Sequence, residues 1–309
     1  MAMITMNRRR FIGGAAAGAA TLAAWPRAAK AQVEPPFAKR IPSSGQALPV
    51  IGLGTWITFN VGNDPATLAQ RTDVMRAFFE MGGGMIDSSP MYGSAQATVG
   101  HGLREIGIPE TLFAADKVWT SDADDGPSQI AETQALWGVP RFGVLQVHNL
   151  LGWEGHLDTL EAMKAEGRIG HVGITTSHGR RHDEVEAIMR ERPIDFVQLT
   201  YNMADREAEA RLLPLAAERG IAVIANRPFR QGALVDAVQG APLPAVAAEI
   251  GAANWPQFLL KFIVSHPSVT VAIPATRRVE HLRENMGAAQ GPMPDAALRA
   301  AMARAFESL

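Results

Sequence analysis

From residue 50 onward, short apolar runs alternate with longer stretches in which apolar residues return every three or four positions. The short runs fall at 50–55, 85–88, 112–118, 142–148, 171–176, 196–201, 222–226 and 269–274. They are compact and bounded by Gly, Pro, Ser or Asn, the signature of buried strands. The amphipathic stretches between them predict helices over 66–81, 95–106, 128–137, 154–166, 182–191, 205–219, 244–265 and 279–287. In the helix ending at Arg219, Ala210, Leu213 and Ala217 share a face, and Gly220 supplies a stop. Asp183, Glu184 and Glu186 open another helix and Arg190 and Arg192 close it, each sign at the end the helix dipole prefers. Eight strand–helix repeats predict an α/β fold, a (β/α)8 TIM barrel, in preference to a doubly wound sheet. No Gly-x-Gly-x-x-Gly follows the first strand, which argues against a Rossmann domain. Ahead of the barrel, Ser43-Ser44-Gly45 turns between two short runs of residues 39–50 and predicts a hairpin. A last helix over 295–308 stands outside the eightfold count.

The first 31 residues break this pattern. Asn7-Arg8-Arg9-Arg10-Phe11-Ile12 leads a weakly apolar, Gly- and Ala-rich stretch that ends in Ala29-Lys30-Ala31. A basic region, a short apolar region and a small-residue site form a cleavable signal peptide, expected to be cut after Ala31. The paired arginines followed by x-Phe-Ile resemble a bacterial twin-arginine signal, whose export machinery would then be a partner and which carries folded proteins. The expectation is therefore a signal segment over 1–31, a barrel over 32–309 and a periplasmic or secreted product. The apolar run is too short and small-residue-rich for a stable membrane anchor.

Removing that segment changes the charge. The 309 residues carry 29 Lys and Arg against 31 Asp and Glu, a formal charge of −2. Five of the bases lie in residues 1–31 with no acid beside them, so the mature chain has 24 bases against 31 acids, or −7. This balance disfavours a nucleic-acid partner. The absence of cysteine excludes disulfides and thiolate chemistry. With 47% hydrophobic but only 6% aromatic residues, the core is expected to be aliphatic. None of these numbers fixes the oligomeric state.

Four ionisable groups fall at the C-terminal ends of three successive expected strands: Asp87, Tyr92 one loop away, Lys117 and His148. In a parallel barrel these ends converge on the face that carries catalysis. Singly, each has a structural explanation: a cap, a loop aromatic, a solvated lysine, a satisfied barrel histidine. Jointly they make a proton-donating site. A lysine at an inner strand end needs a counter-ion such as Asp87. A cation beside a phenol is expected to lower the tyrosine pKa from about 10. A histidine adds a donor for an oxygen, as the reduction of a carbonyl requires. His178 and His182 are four apart, but no third ligand accompanies them and no metal site is expected.

An ordered set of motifs then resembles the aldo-keto reductase family: Gly52-Leu53-Gly54-Thr55-Trp56, Ile86-Asp87-Ser88-Ser89-Pro90-Met91-Tyr92-Gly93, Asp116-Lys117-Val118-Trp119, Gln146-Val147-His148, Gln198-Leu199-Thr200-Tyr201-Asn202, Ile273-Pro274-Ala275-Thr276 and Glu284-Asn285. The resemblance runs from about residue 40 to 287. It implies an NAD(P)H-dependent reductase of aldehydes or ketones in which Tyr92 donates a proton, Lys117 tunes it, Asp87 holds Lys117 and His148 orients the carbonyl. It implies cofactor contacts from Gly54, Thr55, Gln198, Thr276, Glu284 and Asn285, with Trp56 and Trp119 lining the substrate pocket.

The sequence departs from the family pattern in three places. Thr175-Thr176 stand where Ser-Asn is usual, and Asn226-Arg227 where Tyr-Ser is common. Threonine lacks the paired donor and acceptor of an amide, and Arg227 is placed to reach a pyrophosphate. Ala275 and His281 replace basic residues around a 2′-phosphate, leaving Arg277 to cover it, so NADPH is favoured over NADH. Thr176 and Asn226 motivate a rival reading, a catalytically silent barrel that acts as a binding protein. An isomerase or dehydratase with a retained nicotinamide is a further rival. Only 24 residues follow Asn285, so the site is expected to be open and the substrate is not named.

Overall fold

The structure, a computed structural model, describes residues 36–309; the signal segment expected over 1–31 lies outside them. Two strands, β1 (Ala38–Arg40) and β2 (Ala47–Pro49), pair antiparallel around the turn at Ser43–Gly45, as the hairpin expectation required. Eight parallel strands follow: β3 (Leu53–Gly54), β4 (Met85–Asp87), β5 (Phe113–Val118), β6 (Phe142–Val147), β7 (Ile169–Thr175), β8 (Phe196–Thr200), β9 (Ala222–Asn226) and β10 (Val271–Ala272), each beside its successor. The ring closes between the first and the last. Gly52 N–H donates to Ala272 O at 2.8 Å, Ala272 N–H to Val50 O at 2.9 Å and Gly54 N–H to Pro274 O at 3.0 Å. Gly54 is needed there, because a Cβ would lie 2.7 Å from Ile273 O. The outermost expected strands, 50–55 and 269–274, are thus shorter as ladders than as runs, and meet through single bridges at the seam.

Strand periodicity sorts the inward side chains into two layers. Met85, Phe113, Ala115, Val144, Phe196, Ala222, Ile224 and Val271 form an apolar lower layer, plugged from below by Ile41 and Leu48 of the hairpin. His171 seals that end, with Nδ1 on Gly143 O at 2.8 Å and Nε2 on Ser44 Oγ at 3.1 Å. Two residues further along each strand stand Asp87, Lys117, Gln146 and Gln198, all buried. Register brings these together: Gly54 pairs with Asp87, Asp87 with Ala115, and Lys117 with Gln146. The barrel is therefore apolar below and polar at its C-terminal mouth.

Helices α1 (Pro65–Glu80), α2 (Ala95–Ile106), α3 (Gly126–Trp137), α4 (Trp153–Ala165) and α5 (His182–Glu191) cover the outside close to their expected bounds. Two expected helices are broken, each by a proline. A continuous helix over 205–219 would need an N–H at Pro214, which has none. Instead a 3-10 turn, Glu207–Glu209, precedes α6 (Leu212–Arg219), where Pro214 sits harmlessly in the first turn. The expected 244–265 helix divides, after the short α7 (Ala233–Ala237), into α8 (Val246–Glu249) and α9 (Trp255–Val264). Pro256 opens α9 and Asn254 caps it, accepting from Gln257 N–H at 3.0 Å. The chain ends in α10 (Val279–Gly287) and α11 (Ala296–Glu307). No described helix is long and apolar enough to cross a membrane.

Candidate active site

A cavity of about 510 Å³ opens at the C-terminal mouth of the barrel. Its floor is the polar layer. Lys117, with no exposed surface, donates from Nζ to Asp87 Oδ2 at 2.7 Å and to Ser88 O at 2.6 Å. Asp87 Oδ1 accepts from Gln198 Nε2 at 3.1 Å and from Gln146 Nε2 at 3.5 Å. Burial opposes charge on both members of the pair. It pushes the Asp87 carboxyl above the ordinary range, against the pull of Lys117 and the two amides. It would strip Lys117 too, but Asp87, Tyr92 and Asp116 outweigh it and hold the ammonium above its usual value. The proton stays on the lysine.

Above this pair sit Tyr92 and His148, both on the cavity wall. Lys117 Nζ lies 5.3 Å from the Tyr92 ring centre. The two rings meet edge to face at 5.6 Å and 86°. The expected lowering of the Tyr92 pKa is corrected here. Burial dominates, Lys117 only partly offsets it, and Asp87 and Asp116 add to it, so the phenol is pushed up to about 12. Tyr92 is a protonated donor at neutral pH. Burial, reinforced by Lys117, lowers His148 to about 3, so its imidazole is neutral. Nδ1 of that ring lies 2.7 Å from Ser89 Oγ.

Outside the barrel wall, Asp116 anchors the same strand end. Its carboxylate accepts from Trp137 Nε1 at 2.7 Å, Gln96 Nε2 at 3.0 Å and Lys117 N–H at 2.6 Å. Burial lifts it to about 7.

The wall also contains Gly54, Thr55, Trp56, Thr175, Thr176, Gln198, Asn226, Arg227, Thr276, His281, Glu284 and Asn285, the residues expected to meet cofactor or substrate. Two others do not join them. Trp119 is 40% exposed and outside the wall; Gln129 clamps its backbone on both sides, accepting from Trp119 N–H at 2.6 Å and donating to Trp119 O at 2.9 Å. Arg277 is exposed beside the wall, with its carbonyl accepting from Arg71 at 3.4 Å. Arg71 belongs to none of the sequence motifs; its guanidinium donates to Thr58 O at 2.6 Å and reaches Arg277 O, and burial and then Arg277 hold its pKa below the usual value.

Several groups in the wall are already committed to each other. Asn226 Nδ2 donates to Thr176 O at 2.8 Å, and Asn226 Oδ1 accepts from Thr200 Oγ1 at 2.7 Å. Thr176 Oγ1 donates to Arg180 O at 2.6 Å, and Thr175 Oγ1 accepts from Asn149 N–H at 2.9 Å. These bonds lock the ends of β7, β8 and β9 together. Arg227 differs: its Nη1 is buried in the wall with no hydrogen-bond partner among the described residues. A buried unpaired guanidinium nitrogen calls for an anion. The residues present thus fit a phosphate-bearing dinucleotide at the Arg227 and Thr276–Asn285 side of the cavity. His178 has left-handed backbone in the loop before α5, while His182 begins that helix, so the pair does not share a helical face. Among the described residues no group of three or more His, Asp or Glu could hold a metal ion.

A closed parallel barrel with a buried ion pair beneath a phenol and a neutral imidazole defines an α/β-barrel enzyme of acid–base chemistry. Comparison with known proteins makes this specific. The aldo/keto reductase family model matches residues 50–301, and the chain belongs to that family. It is an NAD(P)H-dependent oxidoreductase. The methylglyoxal reductase YeaE of Escherichia coli strain K12 is 29% identical over 259 residues, covering 80% of this chain and 88% of that protein. The NADH-specific methylglyoxal reductase of the same strain is 23% identical over 235 residues, covering 65% and 70%. An aldo/keto reductase from Klebsiella pneumoniae, solved with NADP and acetate, superposes with a TM-score of 0.70 at 24% identity, over 85% of this chain and 93% of that one.

Proposed function

We propose that this protein reduces an aldehyde or ketone to the alcohol, using NADPH, with Tyr92 as proton donor. The observation that carries the reading is the Lys117–Asp87 pair buried directly beneath Tyr92 while His148 faces the same cavity. Bound NADPH supplies the hydride that adds to the carbonyl carbon. The protein's part is to hold the carbonyl oxygen between the Tyr92 hydroxyl and the His148 ring, and to deliver the phenolic proton as that oxygen gains charge. The Lys117 ammonium then faces the phenolate it leaves, until solvent restores the proton.

NADPH is favoured over NADH by the cationic corner of Arg71 and Arg277, with His281 on the adjoining wall. Arg227 would hold the diphosphate, and Thr276, Glu284 and Asn285 the adenosine end. A second reading has a specific observation behind it. Thr176 and Asn226 spend their amide and hydroxyl groups on the loop lock, so the nicotinamide end has few free polar partners. That supports a barrel that binds a ligand without turnover.

Fluorescence titration of residues 32–309 with NADPH and NADH, followed by turnover on small aldehydes, separates the two. Saturable binding with NADPH preferred, and consumption of NADPH with an aldehyde, is the expected result. Binding without turnover supports the silent barrel. Export through the twin-arginine pathway is part of the same proposal for residues 1–31, checked by whether Arg8→Lys with Arg9→Lys and Arg10→Lys retains the chain in the cytoplasm.

A further inference from the structure

We propose that Ser89 is a positioning residue that fixes neutral His148 as the Nε2–H tautomer, so that the imidazole offers the carbonyl oxygen a donor. The inference rests on the reductase reading of the site, and concerns a residue to which that reading assigns no role. A neutral imidazole has one N–H and one lone pair, and which nitrogen faces the substrate as donor is set by the bond the other makes. His148 is kept neutral by burial, so its tautomer decides whether it can donate at all.

Ser89 settles the choice by counting protons. Its hydroxyl is fully buried and has one hydrogen to give. Oγ already accepts from Met91 N–H at 3.2 Å, and its remaining contact is His148 Nδ1 at 2.7 Å. If Nδ1 carried the proton, Oγ would accept twice and its own hydrogen would point at nothing, a buried unpaired donor. If Oγ donates to Nδ1, every group is satisfied and the hydrogen of the ring moves to Nε2. That nitrogen has no hydrogen-bond partner among the described residues, on a ring that lines the cavity.

The serine is well held for this task. Its backbone is extended, and Ser89 O accepts from Tyr92 N–H at 3.0 Å. The preceding carbonyl, Ser88 O, accepts from Lys117 Nζ at 2.6 Å. One tight turn therefore carries the Lys117 anchor, the Tyr92 donor and the hydroxyl that orients His148. The position of the imidazole relative to the phenol is set by the turn that bears the phenol.

The test is ¹⁵N NMR of the histidine side chains in the cofactor-free protein near neutral pH, with His148 assigned by its loss in His148→Gln. The expected wild-type pattern is a pyrrole-type Nε2 and a pyridine-type Nδ1. In Ser89→Ala, whose backbone fits any residue, the two forms should mix and kcat should fall about tenfold with KM little changed. Ser89→Thr keeps the hydroxyl and should restore both the spectrum and the rate. A protonated Nδ1 in the wild type overturns the proposal, as does Ser89→Ala with an unchanged spectrum. Because the spectrum needs no turnover, it reads the Ser89–His148 bond even in a chain that reduces no carbonyl.

Discussion

At the residue scale, burial decides more than charge proximity. Lys117 beside Tyr92 is legible in the sequence, and so is its attraction for a phenolate. What proximity in sequence cannot show is the lost solvent, which here outweighs the cation and pushes Tyr92 up to about 12. The same desolvation takes His148 down to about 3. Neither group should then titrate across the neutral range. The rate constant for reduction, kcat, is expected to be free of any step from these two groups between about pH 5 and pH 9. A fall in kcat through about pH 6.5 that disappears in His148→Gln would show the imidazole titrating at its ordinary value and contradict the burial argument. Trp119 illustrates the other limit. Its position after Lys117 points to the pocket, but it stands 40% exposed outside the cavity wall, on backbone that Gln129, ten residues away, holds by two hydrogen bonds.

At the element scale, the strands and most helices follow from period and punctuation. Asp87, Lys117, Gln146 and Gln198 share a layer because each lies two residues beyond an apolar inward side chain, Met85, Ala115, Val144 and Phe196. That two-residue rule is available in the sequence, and applying it across neighbouring strands finds Gln146. The expected helices over 205–219 and 244–265 are too long because hydrophobic spacing outweighs Pro214 and Pro256, although each ring removes the N–H that an unbroken helix would use. The closing seam is not legible, since it depends on a backbone approach between the first and last strands. Gly54→Ala is expected to strain that seam against Ile273 O and to cost roughly 1–3 kcal/mol, measured by urea denaturation. An unchanged midpoint and slope would mean that the seam yields without cost.

At the scale of the whole molecule, the barrel separates stability from chemistry along its axis. The hairpin plug, His171 and the apolar layer close one end, while at the other a phenol, an imidazole and Arg227 line one cavity above a buried ion pair. The order of motifs makes the family and the fold readable from residue 50 onward. The fine structure of the cofactor side is not readable, because Asn226 bonds to Thr200 and to Thr176 O across three strand ends, while the Thr175 and Thr176 hydroxyls are taken by Asn149 N–H and Arg180 O. Free polar groups in the sequence are not free in the fold.

The most direct measurement of the central claim is the turnover of Tyr92→Phe beside its affinity for NADPH. The substitution removes one hydroxyl and leaves the ring against His148 and above Lys117. If Tyr92 is the proton donor, kcat for carbonyl reduction should drop by a factor on the order of 10²–10⁴ while the dissociation constant for NADPH stays within about twofold. Reduction at the wild-type rate by a folded Tyr92→Phe protein would contradict it, and the proton would have to come from elsewhere in the cavity.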